Sequence, residues 1–105
     1  MTYRLRLAAR AERDIDDFLG WLGEYSPDVA AEYERDLTAS IRDHVLTRPH
    51  MWQFFFLTGQ PYRAYLYSVS RRTSFWLVYT IDEEAKTVDV LRFWNSARDP
   101  ERFGL

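Results

Sequence analysis

The chain opens on an alternation. In Tyr-Arg-Leu-Arg-Leu, residues 3–7, Tyr3, Leu5 and Leu7 fall on one side and Arg4 and Arg6 on the other, which predicts a short strand with one buried face. The period then changes. Ala11, Ile15, Phe18, Leu22 and Tyr25 recur in steps of four and three, the spacing of a helical stripe. Ser26-Pro27 restarts the chain: serine suits an N-cap and proline the first helical position, and Asp28 favours the positive end of the helix dipole. A second stripe follows at Ala30, Tyr33, Leu37, Ile41 and Val45, closed by Thr47-Arg48-Pro49. With so short a link, the two helices form an antiparallel hairpin. The carboxylates Asp14, Asp16 and Asp17 read as lying opposite the first stripe, in solvent. Glu32, Glu34, Arg35 and Asp36 read as the solvated face of the hairpin.

From His50 to Gln60 no period is visible. Met51, Trp52, Phe54, Phe55 and Phe56 are too apolar for a free loop, so they either cover one end of a sheet or await a partner. Three strand patterns follow. Tyr62–Ser70 places Arg63, Tyr65, Tyr67 and Val69 on one face. Ser74–Ile81 is almost continuously apolar, as in a strand covered on both sides. Val88–Trp94 places Val88, Val90, Arg92 and Trp94 on one face. On that spacing Arg63 and Arg92 share a face of the meander if the register agrees. The predicted order is β-α-α-β-β-β, an α+β fold: an N-terminal strand, an antiparallel helical hairpin and a three-stranded antiparallel meander. Residues 1–105 read as one domain, with no linker, repeat or low-complexity tract.

Composition narrows the chemistry. Aromatic residues make up 17% of the 105-residue chain, enough for one real core. No apolar run approaches a membrane span, and the N-terminus lacks the apolar segment of a signal peptide, so a cytoplasmic location is expected. There is no cysteine, and His44 and His50 have no third ligand at metal spacing, so no metal is expected. His44 is read as a helix-end histidine. The four glycines are scattered, giving no phosphate loop, and no serine sits in a nucleophile elbow, so no cofactor is expected. Net charge is −2, but its distribution is uneven. Residues 1–47 carry ten acids and six bases, whereas residues 48–81 carry Arg48, Arg63, Arg71 and Arg72 and no acid. Thirteen of the fourteen bases are arginine, which binds carboxylate or phosphate with a planar fork and stacks on rings. A sheet arginine can also simply pair with a helix acid.

The order of elements resembles the ParE/RelE superfamily of toxins from bacterial type II toxin–antitoxin modules. The residues that carry the resemblance are Tyr-Arg-Leu-Arg-Leu-Ala-Ala-Arg-Ala-Glu-Arg-Asp-Ile at 3–15, Tyr-Ser-Pro-Asp-Val-Ala-Ala-Glu-Tyr at 25–33, and Arg48-Pro49. To these are added Arg63 at the meander's start, Phe-Trp-Leu-Val-Tyr-Thr-Ile-Asp at 75–82, and Val88 to Pro100. Each motif alone is weak; their order across nearly the whole chain is what is specific. The resemblance implies a small cytoplasmic toxin wrapped and neutralised by a cognate antitoxin. Sequence-specific DNA binding is not expected without the antitoxin.

Two branches differ in activity. RelE-like members cleave mRNA on the ribosome; ParE-like members inhibit DNA gyrase and do not act as nucleases. Cleavage by the 2′-hydroxyl needs a base, cations for the phosphate, and an acid for the leaving oxygen. Laid on the RelE-like pattern, Arg63 matches a basic position, whereas Tyr65 and Trp76 stand where a lysine and an arginine would serve. Asn95 stands where relatives carry histidine or a basic residue, and asparagine cannot act as a base near neutral pH. Phe103 lies near a terminal tyrosine position and lacks its hydroxyl. If the chain is a nuclease, its groups are Arg63, Tyr65, Arg92 and Arg98. The gaps favour the ParE-like branch, with no active site of its own. A ribonuclease with a rearranged basic set and a non-toxic antitoxin-binding homologue are the alternatives. For partner binding the candidates are Trp21, Trp52 and Phe54 as anchors, with Phe55 and Phe56. Arg63, Arg71, Arg72, Arg92 and Arg98 supply the charge, so the complex is expected to weaken with salt.

Overall fold

The computed structural model describes residues 2–57 and 60–98, and of residues 55–57, 60 and 61 the backbone alone. Strand β1 is Arg4–Leu7, helix α1 Ala9–Tyr25 and helix α2 Pro27–Ser40. Strands β2 (Phe54–Leu57), β3 (Gln60–Ser68), β4 (Ser74–Asp82) and β5 (Thr87–Asn95) follow. The α+β architecture read from the sequence is present, with one strand more. The aromatic stretch without a period holds β2, which pairs antiparallel with β3 through Phe54 opposite Arg63. Consecutive aromatics carry no two-residue alternation, so pairing with β3, not the local pattern, makes this strand. The sheet has five strands in the order β1-β5-β4-β3-β2, with β1 parallel to β5 and every other pair antiparallel.

The hairpin forms where the stripes and the cap place it. The Val29 N–H donates to Ser26 Oγ at 3.4 Å, and Pro27 fills the first turn of α2. Beyond Ser40 the helix widens into a π-helical turn, Ile41–Leu46. The sequence explains it. Tyr33, Leu37, Ile41 and Val45 recur every fourth residue, and each such step overshoots an α-helical turn by about 40°. A regular helix would wind this stripe off the sheet; the wider turn keeps Ile41 and Val45 buried. Next, Pro49–Met51 makes a 3-10 turn pinned from the sheet, where the buried Tyr79 hydroxyl donates to the Pro49 carbonyl at 2.6 Å. His44, in the π turn, is exposed and stacks on Tyr65.

Both helices pack on one face of the sheet, and the core lies between them. Phe18 of α1 sits against Phe75 and Phe93, and Tyr67, Leu77, Tyr79, Val88 and Val90 complete the buried layer. The opposite face is covered differently from what a continuous apolar strand predicts. No helix lies on it among the described residues; Val78 and Trp94 are buried there by Tyr62 and Trp76.

A β-bulge corrects the face assignment on β5. Val78 pairs with Arg92 but Tyr79 pairs with Val90, so Leu91 is an extra residue. The bulge reverses the alternation. Val88 and Val90 face the helices together with Phe93, and Arg92 and Trp94 fall on the other side. Arg63, level with Tyr79, is on the helix-covered face. Arg63 and Arg92 therefore stand on opposite faces, not on one.

The far end of the sheet is held by ion pairs. Arg6 forks onto Asp89 at 2.7 and 2.8 Å. Glu83 accepts from Lys86 at 3.1 Å and from the Tyr3 hydroxyl at 2.9 Å, and meets His50 at 2.6 Å. The hydrogen bond from Arg6 holds the Asp89 carboxyl below its usual value, and those from Lys86 and Tyr3 do the same for Glu83. A carboxylate with a depressed folded-state pKa stabilises above its unfolded value and loses that contribution as pH falls through the folded one. Thermal midpoints should therefore be flat above about pH 5 and fall below about pH 4. Asp89→Asn should reduce the acid slope, as read by circular dichroism melts across pH; an unchanged slope in the variant would remove the pair from the explanation.

Candidate functional site

Where β1 ends, β5 continues alone. The last β1 pair is Leu7 with Val90, so Arg92 to Asn95 form an uncovered edge. Helix α1 crosses beside that edge and supplies Asp14. The Asp14 carboxylate accepts from Arg92 Nε at 2.7 Å and Nη2 at 3.1 Å, and also from the Phe93 backbone N–H at 3.1 Å. One carboxylate thus neutralises a buried guanidinium and occupies a strand-edge donor that would otherwise seek a partner. The pair is sheltered: the side chains are 10% and 17% exposed. The expectation of a solvated Asp14 is thereby corrected. Asp36 is exposed, as expected for the hairpin's outer face, and in addition accepts from the Tyr67 hydroxyl at 2.6 Å. That bond and burial push the Tyr67 hydroxyl pKa far up, burial being the larger cause.

Between α1 and this edge lies a groove of about 360 Å³. Its floor is aromatic. Phe75 and Phe93 stack at 4.6 Å with their planes 3° apart, and Phe18 leans on both. Trp21 stands at its lip, 47% exposed, with Tyr25 one turn further along α1 in edge contact. Trp94, Asn95 and Arg98 line the other wall. This wall is built by turn chemistry. The Ala97 N–H donates to Asn95 Oδ1 at 2.9 Å and the Arg98 N–H to the Asn95 carbonyl at 3.0 Å. The Ser74 and Ser96 hydroxyls bond at 2.7 Å, tying the exit of β5 to the β3–β4 turn. The guanidinium of Arg92 lies 4.8 Å from the Trp94 ring centre and that of Arg98 6.0 Å.

Three of the sequence candidates, Trp21, Arg92 and Arg98, converge on this groove. Arg71 and Arg72 are exposed in the adjoining β3–β4 turn. The others sit apart. Arg63 spends its guanidinium on the carbonyls of Trp52 at 2.7 Å and His50 at 3.0 Å, and lies 4.1 Å over the Phe54 ring. Trp52 is half-buried against Tyr65 and donates to the His44 carbonyl at 2.7 Å; Phe54 is 49% exposed. Tyr65 is packed in the core layer, its hydroxyl pKa raised by burial. The side chains of Phe55 and Phe56, and residues Arg102 and Phe103, lie outside the described residues. Asp14, Phe18 and Phe75 were not among the candidates. Among the described residues no cluster could hold a metal, and no helix is long and apolar enough to cross a membrane.

No family model matches the chain, and no curated protein matches it in sequence. Among solved structures it is similar to a chain of the RelBE2 toxin–antitoxin complex from Mycobacterium tuberculosis. The TM-score is 0.54 at 17% identity, over 90% of this chain and 98% of that one. The fold is RelE-like.

Proposed function

We propose that this protein is the toxin of a type II toxin–antitoxin pair, neutralised by a cognate antitoxin and acting on DNA gyrase by protein binding. The fold it shares with a chain of a toxin–antitoxin complex supports the first half. The second half is supported by one observation: of the four possible nuclease groups, Arg63 and Tyr65 stand on the helix-covered face, apart from Arg92 and Arg98 at the groove. Arg63 and Arg92 stand on opposite faces, and each guanidinium is committed within the protein, to carbonyls in one case and to Asp14 in the other. Tyr65, with its raised pKa, is no base at neutral pH.

A ribosome-dependent ribonuclease is the second reading, favoured by Tyr62, Trp76 and Trp94 on the sheet face that carries no helix among the described residues, where bases could stack. Inducible expression without antitoxin separates the two. DNA breaks and filamentation ahead of mRNA loss are expected; rapid mRNA cleavage at ribosomal A sites, abolished by Arg63→Ala, would overturn the gyrase reading. Because Arg63 anchors residues 50–52, its alanine variant should also lose about 2 kcal/mol of stability, the scale of hydrogen bonds to a charged donor. Urea unfolding of the purified variant checks this, and cleavage data should be compared at matched folded fraction. Growth with neither effect would leave the antitoxin-binding homologue.

A further inference from the structure

We infer that the groove between α1 and β5 seats an acidic polypeptide segment. This segment lodges one large apolar side chain on the Phe18–Phe75–Phe93 floor and sets carboxylates against Arg71, Arg72 and Arg98. The inference rests on the reading of this chain as a toxin with a protein partner, and specifies where and by what chemistry that partner docks.

Size and lining come first. A space of about 360 Å³ is at the small end of ligand pockets, suited to a side chain rather than a whole helix. Its floor is aromatic and its lip, Trp21 with Tyr25, extends apolar surface outward along α1. A pocket with an aromatic floor and a polar rim is the setting in which one buried anchor dominates binding.

Charge then selects the partner's sign. Among the described residues, Arg71, Arg72 and Arg98 make no ion pair. Two carboxylates line the groove, and Asp14 is already spent on Arg92, which leaves Asp17. Strands β3 and β4 and their turn add no opposing charge before Asp82, because residues 48–81 contain no acid. This end of the sheet therefore presents Arg98 on the groove wall, against the Trp94 ring, and exposed Arg71 and Arg72 in the adjoining turn, while the α2 acids Glu32 and Asp36 lie beside Ser68 and Val69 and Asp36 is bonded to Tyr67. The Asn95 turn fixes the Arg98 backbone on the groove wall, and the Arg98 guanidinium lies 6.0 Å from the Trp94 ring centre.

Backbone geometry sets the mode. A partner strand laid along the open edge of β5 would need the Phe93 N–H, which Asp14 holds. Strand addition is thus disfavoured here, and recognition falls to side chains.

Random dodecapeptides displayed on phage test this directly. Selected on the purified protein, they should be enriched in Asp and Glu around a single Trp, Phe or Leu. Binding of a selected peptide should weaken about tenfold or more in Arg98→Glu and in Trp21→Ala, a hot-spot-sized loss. It should also weaken with salt. Both residues are surface-exposed, and unchanged melting of the variants shows that the fold is intact. Basic or anchor-free selected peptides, or affinity unmoved by both substitutions, would overturn the proposal. So would a single-stranded RNA oligonucleotide that binds with similar affinity and loses it in Arg98→Glu, since the surface would then serve nucleic acid. Failure here is distinct from failure of the toxin reading. Toxicity with groove-independent peptides sinks only this proposal; acidic, groove-dependent peptides without toxicity sink only the other.

Discussion

Asp14→Ala is expected to cost about 3–5 kcal/mol, the penalty for leaving one charge of a buried pair without its partner. Arg92 is 8% exposed, so its guanidinium cannot recover full hydration when the carboxylate goes. The Phe93 N–H loses its acceptor at the same stroke. Asp14→Asn keeps an acceptor for that N–H but not the charge, and should lose about 2 kcal/mol. The double variant Asp14→Ala, Arg92→Met removes both charges and should be more stable than Asp14→Ala alone. Urea unfolding of the native protein, Asp14→Ala, Arg92→Met and the double variant forms a thermodynamic cycle. If Asp14→Ala lies within about 0.5 kcal/mol of the native protein, the pair behaves like an ordinary surface ion pair and the edge cap has no energetic role.

The importance of Asp14 was legible in the sequence, though the chain's acidity hid it. It lies three residues after Ala11 and four before Phe18, so it borders the buried stripe of α1 rather than opposing it. A carboxylate so placed must find a cation, and the sheet supplies Arg92. The two helical stripes, the Ser26-Pro27 restart and the three long strands were readable because each rests on local period and capping. The bulge at Leu91 was not. Nothing in Val-Asp-Val-Leu-Arg-Phe-Trp announces an extra residue, and a single one is enough to exchange the two faces of half a strand. That is why Arg63 and Arg92, two residues rightly singled out, could not be placed relative to each other. Strand β2 escaped for a related reason: its pairing with β3, not its own pattern, defines it. Of the groove, the sequence offered the lip and rim, Trp21 and Arg98, because exposed aromatics and tail arginines stand out. Its floor did not stand out, since Phe18, Phe75 and Phe93 read simply as core.

That double identity of the floor sets the second large effect. Phe18 is 4% exposed, with ring centres of Phe75 and Phe93 at 4.9 and 5.5 Å and Tyr33 at 6.2 Å. Phe18→Ala should lose about 3–5 kcal/mol in urea unfolding, as a large ring leaves a cavity among aromatic neighbours that cannot close over it. Such a loss would reduce any binding simply by unfolding the protein, so alanine cannot tell floor from core. Phe18→Leu can. A swap of this kind, hydrophobic and close in volume, usually costs less than about 1.5 kcal/mol. It still removes the flat ring against which an incoming aromatic would rest, a contact worth about 0.5–1.5 kcal/mol beyond area. The leucine variant should therefore melt close to the native protein yet bind an aromatic-anchored acidic peptide several-fold more weakly. A leucine-anchored peptide should lose less, because aliphatic contact survives the exchange. Equal loss for both anchors would mean that Phe18 shapes the groove only by supporting its walls; no loss for either would place the partner elsewhere on the surface.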